Sequence, residues 1–428
     1  MPVDAASVAA VDAARRPARA GSDPTTAGVL PLTDGYTFAA LPATVERLLL
    51  GRDGGLPRAA LGDAPERVEC VVLVLLDAFG WRFFSRHADS HPLLRRMVAD
   101  GTVAKLTTQF PSTTAAHVTT IHTGRPVAEH GMYEWNIYEP SLDALVTPLM
   151  FSFAGDAERD TLRRVGAEPR TVFPTKTLYR RLAADGVRCV AFHPASFAPS
   201  TYDGVLLDGA TLHPYETLAG GFATLAEALR ARAGPLYAYF YIDTLDATGH
   251  QYGPSSREFD TEAIRCLDAI DAALRALPDG TLLLLAADHG QVDVDPARTR
   301  FVNELWPGIG SHLRRGRRGR PLAPAGSARD LFLHTAAGAH AHVVERLRGL
   351  LGPETEVRAT AELLEEGVFP AEIGPRLRER VGDVCVLPPT GGTVWWRERG
   401  RFGMRFLGHH GGLTPEEAHT HVASLMVG

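Results

Sequence analysis

Cysteine is scarce: Cys70, Cys189, Cys266 and Cys385 are the four in 428 residues, widely spaced and without a CxxC pair. Buried free thiols are the expectation, and nothing demands an oxidising compartment. Long apolar runs are missing as well. None approaches the ~18 residues a membrane span needs, so no membrane association is expected. The Ala-rich, polar N-terminus has no continuous apolar core of a signal peptide. Residues 1–27 read as a disordered leader on a cytoplasmic protein. Net charge is only −6, which argues against a general nucleic-acid surface, and no binding to duplexes is expected. One basic run, Arg314 to Arg320, reads as a solvated loop. Internal repeats and coiled-coil heptads are absent.

What remains is the composition of a soluble globular chain, 45% hydrophobic and 22% charged, long enough for two or three domains. Three apolar segments, 69–76, 236–242 and 281–287, have the character of parallel strands buried on both faces. Each stops at carboxylates: Asp77 after the first, Asp243 and Asp246 after the second, Asp288 followed by His289 after the third. Open α/β sheets bind ligands at the carboxyl ends of such strands. Asp77 alone reads equally well as a helix cap. Asp246 and His250 are four residues apart and share a face of a helical turn, a spacing that suits one metal ion but is common by chance.

A helix over 41–51, strands at 102–108 and 187–192, and helices at 93–100, 177–184, 218–233 and 258–277 complete a βα rhythm. From about 306 the rhythm changes. A strand at 330–334, a helix at 339–351, a strand at 356–359 and a short helix at 362–366 look like an inserted lid. Strand character returns at 382–387 and 392–396. The last signature, His409-His410-Gly411-Gly412, precedes Thr414-Pro415-Glu416-Glu417, which reads as the opening of a C-terminal helix. The fold expected is a three-layer α/β/α sandwich with a mostly parallel central sheet and a small inserted α+β lid. Residues 28–300 and 381–428 form the core and 301–380 the lid.

Phe110-Pro111-Ser112-Thr113-Thr114 leads into another apparent helix. The hydroxyls read either as caps of that helix or as a nucleophile poised at a helix N-terminus that favours phosphate. Taken alone, the segment favours the capped turn. Three carboxylates with three imidazoles shift the balance, because they suffice for two divalent ions with mixed N/O ligation, zinc in the first place and manganese as the alternative. Such a pair activates a hydroxyl and stabilises the leaving oxygen in phosphoryl transfer.

The ordered set Val-Leu-Leu-Asp77, Phe-Pro-Ser-Thr-Thr114 with Thr123-Gly124, Glu129-His130-Gly131, Asp246-Ala-Thr-Gly-His250, Asp288-His289-Gly290 and His409-His410-Gly411-Gly412 resembles the type I phosphodiesterase/nucleotide pyrophosphatase family of the alkaline phosphatase superfamily. The resemblance implies that Asp246, His250 and His410 hold one metal, and Asp77, Asp288 and His289 the other. It implies that Thr114, ten positions before Gly124, faces the second metal and attacks phosphorus to give a phosphothreonine that water hydrolyses. Asn136 would hold a non-bridging phosphate oxygen. His409 is the rival of His410. The surroundings of the nucleophile, Phe-Pro-Ser-Thr-Thr-Ala-Ala, depart from the usual family reading and suggest a bacterial subgroup. The substrate implied is a small-molecule phosphate ester or nucleotide. A phosphomonoesterase or phosphonate hydrolase on the same metals is the alternative, and a non-catalytic metal- or phosphate-binding scaffold the weaker one. Arg125 is the nearby arginine available for a monoester's terminal oxygens. Tyr133, Trp135, Trp395 and Trp396 are either packing aromatics or a stacking wall.

Overall fold

Strands that are apolar on both faces must be covered on both, and this requirement shapes the molecule. The computed structural model describes residues 3–17, 28–317, 319–370 and 372–428. Its central sheet contains β1 (Cys70–Leu76), β2 (Thr102–Thr107), β3 (Arg188–Pro194), β4 (Thr211–Tyr215), β5 (Leu236–Ile242), β6 (Thr281–Ala286) and β7 (His419–Met426), in the spatial order β2-β7-β6-β1-β5-β3-β4. Alternate residues of β1 serve opposite cores. Val71, Leu73 and Leu75 face one, while Cys70, Val72, Val74 and Leu76 face the other. Helices Leu41–Leu50, Thr114–Thr123 and Leu178–Ala184 contribute to the first core, and Pro92–Asp100, Leu218–Arg230 and Arg257–Leu274 to the second. The three-layer sandwich with its mostly parallel sheet is therefore present. All four cysteines are buried and free. Among the described residues no helix is long and apolar enough to cross a membrane.

Three expectations need correction. Thr414-Pro415-Glu416-Glu417 opens only a single turn, Pro415–Ala418. The chain then becomes β7, which runs antiparallel to both β2 and β6. Between two strands its ladder groups are satisfied on both sides, and tertiary pairing overrides the local helix signal. The supposed disordered leader is ordered over residues 3–17. Helix Ala5–Ala13 is capped by the Asp4 side chain; Asp4 N–H donates to Val103 O at 2.8 Å and Lys105 N–H to Ser7 Oγ at 2.9 Å. It covers β2, whose outer edge would otherwise offer unpaired backbone groups. Residues 18–27 lie outside the described residues.

The lid sheet also reaches past the boundary expected at 380. Its order is Ala325–Gly326, Leu331–Leu333, Val384–Leu387, Glu356–Ala359. Val384–Leu387 is antiparallel to both neighbours and sits inside the lid. Helix His340–Leu351 packs on this sheet through Val343, Val344, Leu347 and Leu351.

Candidate active site

The sheet order explains the clustering of the carboxylates. β6, β1 and β5 are adjacent, so their carboxyl ends lie side by side at the ordinary strand spacing of about 4.8 Å. Asp288, Asp77 and the Thr244–Tyr252 helix that carries Asp246 and His250 leave these three ends. Asp77, Asp288 and His289 bring one ligand atom each within 4.8 Å of one another, and so do Asp246, His289 and His410. The first group has the expected membership. In the second, His289 completes the compact set; His250 stands beside it with Nε2 at 3.4 Å from Asp246 Oδ2. His410 Nε2 is 3.7 Å from Asp246 Oδ1. His410, and not its neighbour His409, belongs to the group.

The donor set suits divalent cations. Each of the three imidazoles places Nδ1 on a backbone carbonyl: His250 on Gly408 at 2.8 Å, His289 on Gly290 at 3.0 Å and His410 on Ser112 at 3.0 Å. A carbonyl only accepts, so Nδ1 carries the proton and Nε2 keeps its lone pair for a metal. Asp288 is fully buried and its Oδ2 has no hydrogen-bond partner among the described residues, a cost that a cation removes. Burial, then repulsion from Asp288 and Asp246, drives the Asp77 carboxyl well above its ordinary range. Burial likewise pushes Asp288 up to about 7 and raises Asp246. Burial, then neighbouring histidines, holds His289 and His410 well below the ordinary imidazole value. Every one of these groups is pressed toward its neutral form. A bound cation reverses the carboxylate shifts.

Of the three hydroxyls before the Thr114–Thr123 helix, two are consumed by the backbone. Ser112 Oγ donates to Gly412 O at 2.6 Å and Thr113 Oγ1 to Tyr133 O at 2.9 Å. Thr114 Oγ1 instead faces the first carboxylate group, 3.1 Å from His289 Nε2 and 3.4 Å from Asp77 Oδ2. Thr114 and Asn136 border one and the same cavity. Its Oδ1 accepts from Thr147 Oγ1 at 2.9 Å, while Nδ2 makes only a 3.5 Å contact with Gly326 O. Arg125 is on the surface, paired with Glu129. Tyr133 is fully buried, whereas Trp135 and Trp395 line the cavity, Trp135 remaining 47% exposed.

Several positioning residues escaped the sequence reading. Tyr241 O–H donates to Asp77 Oδ2 and Gln291 Nε2 to Asp246 Oδ1. Gly249 makes room for the glutamine, since a Cβ there would lie 2.1 Å from Gln291 Oε1. The loop carrying His410 is held by a fully buried pair, Arg329 and Glu417. Arg329 donates to Glu417 through Nε at 2.9 Å and through Nη2 at 2.7 Å, and Glu417 Oε1 accepts from Gly412 N–H at 2.9 Å. Tyr241 lay within a recognised strand and Gln291 directly after His289-Gly290; no motif distinguishes Arg329.

A mostly parallel α/β sandwich with paired Asp/His groups at its strand ends is the architecture of the alkaline phosphatase superfamily. The family model for type I phosphodiesterase/nucleotide pyrophosphatase matches residues 71–413, and the chain belongs to that family. Venom phosphodiesterase 2 of Crotalus adamanteus is 25% identical over 251 residues, 56% of this chain and 29% of that protein. Human ectonucleotide pyrophosphatase/phosphodiesterase family member 7 is 27% identical over 267 residues, 58% of this chain and 52% of that one. The chain thus spans about three-tenths of the first relative and half of the second. Among solved structures, murine ectonucleotide pyrophosphatase/phosphodiesterase 5, an inactive form in complex with AMP, superposes with a TM-score of 0.63 at 17% identity, covering 83% of this chain and 88% of that one. Phosphonoacetate hydrolase from Sinorhizobium meliloti with phosphonoacetate gives 0.59 at 17% identity, over 83% and 90%.

Proposed function

We propose that the protein is a metal-dependent hydrolase of phosphate esters, a phosphodiesterase or nucleotide pyrophosphatase, in which Thr114 is the nucleophile. The observation that carries this reading is the placement of Thr114 Oγ1 against His289 and Asp77 while Ser112 and Thr113 are tied to carbonyls. Asp77, Asp288 and His289 would hold one divalent ion and Asp246, His250 and His410 the other, zinc or manganese by their mixed N/O ligation. When bound, the two ions supply Lewis-acid charge that favours the threonine alkoxide and offsets the charge developing on the phosphoryl oxygens. Thr114 Oγ1 forms its bond to phosphorus as the ester P–O bond breaks; the bonding pair leaves with the alcohol or phosphate oxygen, which takes up the proton that the threonine gives up. Water then cleaves the Thr114–phosphate bond and restores the hydroxyl. Asn136 Nδ2, weakly engaged with Gly326 O, holds a non-bridging oxygen. His250, His289 and His410 are oriented throughout by their Nδ1–H bonds to carbonyls. The substrate is a small phosphate ester or nucleotide.

The likeness in fold to phosphonoacetate hydrolase keeps a second reading in play, hydrolysis of a phosphonate or monoester on the same residues. Metal-loaded protein assayed on bis-(p-nitrophenyl) phosphate, p-nitrophenyl phosphate and phosphonoacetate decides between them. A kcat/KM higher for the diester is expected; a clear preference for either other substrate overturns the diesterase assignment.

A further inference from the structure

Residues of the family site account for one end of a large cavity of about 1330 Å³. The far wall has polar atoms of its own. His193, on β3, is 3% exposed and borders this cavity. Its Nδ1–H donates to Asp203 Oδ1 at 3.0 Å, and Asp203 is itself held by Ser200 N–H at 2.8 Å. His193 Nε2 is buried without a hydrogen-bond partner among the described residues. Asp243, the residue after β5, lines the same wall; it precedes a helix that its side chain does not cap. Arg159, exposed to solvent and donating through Nη1 to Leu149 O at 3.1 Å, also borders the cavity; among the described residues it has no carboxylate partner, and its guanidinium lies 5.8 Å from the Phe197 ring centroid. Phe197 in turn lies 6.1 Å from His193 and 6.3 Å from Tyr241.

Register sets the reach of this wall from the reacting centre. Phe192 pairs with Phe240, so His193 is level with Tyr241, which pairs with Leu75 two residues before Asp77. Two strand spacings are about 10 Å, the span of a short substituent beyond a phosphate. With Nδ1 donating, His193 Nε2 accepts; the Asp243 carboxylate accepts and Arg159 donates. Hydroxyl groups both give and take hydrogen bonds and satisfy all three. A second phosphate would meet the Asp203 and Asp243 carboxylates. A flat apolar group would leave Nε2 buried and unpaired. His122, Tyr239 and Tyr241 complete the ring around His193 and bring no further charge.

We infer that His193, Asp243 and Arg159, above the Phe197 ledge, form a subsite for a neutral hydroxylated arm of the substrate, a sugar or polyol. The inference rests on the reading of the chain as a phosphate-ester hydrolase. Its test uses two probes that differ only in hydroxyls, glycerol phosphate and propyl phosphate, titrated calorimetrically into the metal-loaded Thr114→Ala protein. The mixed p-nitrophenyl diesters of the same two phosphates are assayed on the unmutated enzyme. Glycerol phosphate is expected to bind roughly tenfold tighter, the worth of one or two such bonds. His193→Leu and Asp243→Ala should each cut that advantage to about threefold. Asp243 is only half-buried, so its variant carries the test if His193→Leu does not fold. Equal binding of the two probes, or an advantage unchanged in Asp243→Ala, overturns the subsite. Tighter glycerol phosphate binding without turnover of either diester keeps the subsite and refutes the phosphodiesterase. Equal turnover with equal binding does the reverse.

Discussion

Replacing Arg329 by methionine tests whether the lid is structurally bound to the Asp/His groups at the strand ends. Arg329 has no exposure, and its fork is fully engaged: two bonds to Glu417, and Nη1 at 2.6 Å from both Pro389 O and Gly392 O. Methionine fills the stem but strands the Glu417 carboxylate, which is also fully buried. Breaking one side of a buried ion pair costs about 3–5 kcal/mol. At about 2.1 cal/mol/K of unfolding entropy per residue, the whole chain gives ~0.9 kcal/mol/K, and Tm should fall by ~3–6 °C. Thermal unfolding followed by circular dichroism measures it. The double variant Arg329→Met with Glu417→Gln removes the stranded charge and should recover at least ~1.5 kcal/mol relative to the sum of the two single changes. Because Glu417 also accepts from Gly412 N–H next to the His410 loop, Arg329→Met should in addition need more metal for half-maximal activity. If the two single effects simply add, the stranded-charge account is wrong and the loss is one of packing.

Thr114→Ala should lower kcat by at least ~10³ while leaving phosphate-ester binding measurable by calorimetry; full activity would remove Thr114 from the chemistry. Chelation should abolish hydrolysis, and restoring metal at a hundred times its Kd should stabilise the fold by about 2.7 kcal/mol, read as a rise in Tm. Gly249→Ala should displace Gln291 from Asp246 and raise the metal requirement for activity; an unchanged metal titration would refute the contact argument. His421 lies fully buried against Phe84, neither ring nitrogen has a partner among the described residues, and burial pushes its pKa down to about 3. The unfolded chain therefore binds the extra proton first, so this contribution is complete above about pH 6.5 and declines on acidification by about 1.4 kcal/mol per pH unit toward pH 3. His421→Leu should flatten the acid limb of the unfolding free energy, measured by urea titration at each pH, by that slope, and an identical slope would show that His421 does not titrate on unfolding.

The legible parts were those where one physical requirement dominates a short stretch. Cys70–Leu76, Leu236–Ile242 and Thr281–Ala286 are apolar on both faces because helices cover both, and buried strands of that kind read plainly. Asp77, Asp246, Asp288 and His289 were legible because they stand at or just beyond the ends of those strands. Local signals failed where a distant partner decides. Thr414-Pro415-Glu416-Glu417 carries a sound helix-opening pattern, yet residues 419–426 find ladders on both sides, from β2 and β6. Ala5–Ala13 buries little but Ser7 and Val11, and its place along β2 is invisible without the sheet edge it covers. Arg329 had no signal, since an arginine in a Ser-Ala-Arg-Asp turn is ordinarily exposed and becomes a fully buried clamp only when Glu417, eighty-eight residues later, is brought to it.

That clamp bears on how substrate choice and catalysis are divided in the fold. Asp77, Asp288 and His289 leave the ends of central-sheet strands, but His410 reaches its group through a loop bonded on one side to Ser112 and on the other to Ser327 of the lid. Ser327 Oγ donates to Asp330 Oδ1, and Gly411, at φ +125°, leaves room for that carboxylate, where a Cβ would lie 2.6 Å from Asp330 Oδ1. Ser327, Arg329 and Asp330 all follow the first strand of the lid sheet, and Ser327 also borders the cavity. One short turn of the lid thus lines the chamber and braces His410. Changes in the lid near 327–330 are therefore constrained to preserve the His410 loop. The wall around Phe197 and His193 is coupled as well, through Tyr241, whose ring lies 6.3 Å from Phe197 and 5.9 Å from His193 and whose hydroxyl donates to Asp77 Oδ2, so changes there also bear on a strand-end carboxylate.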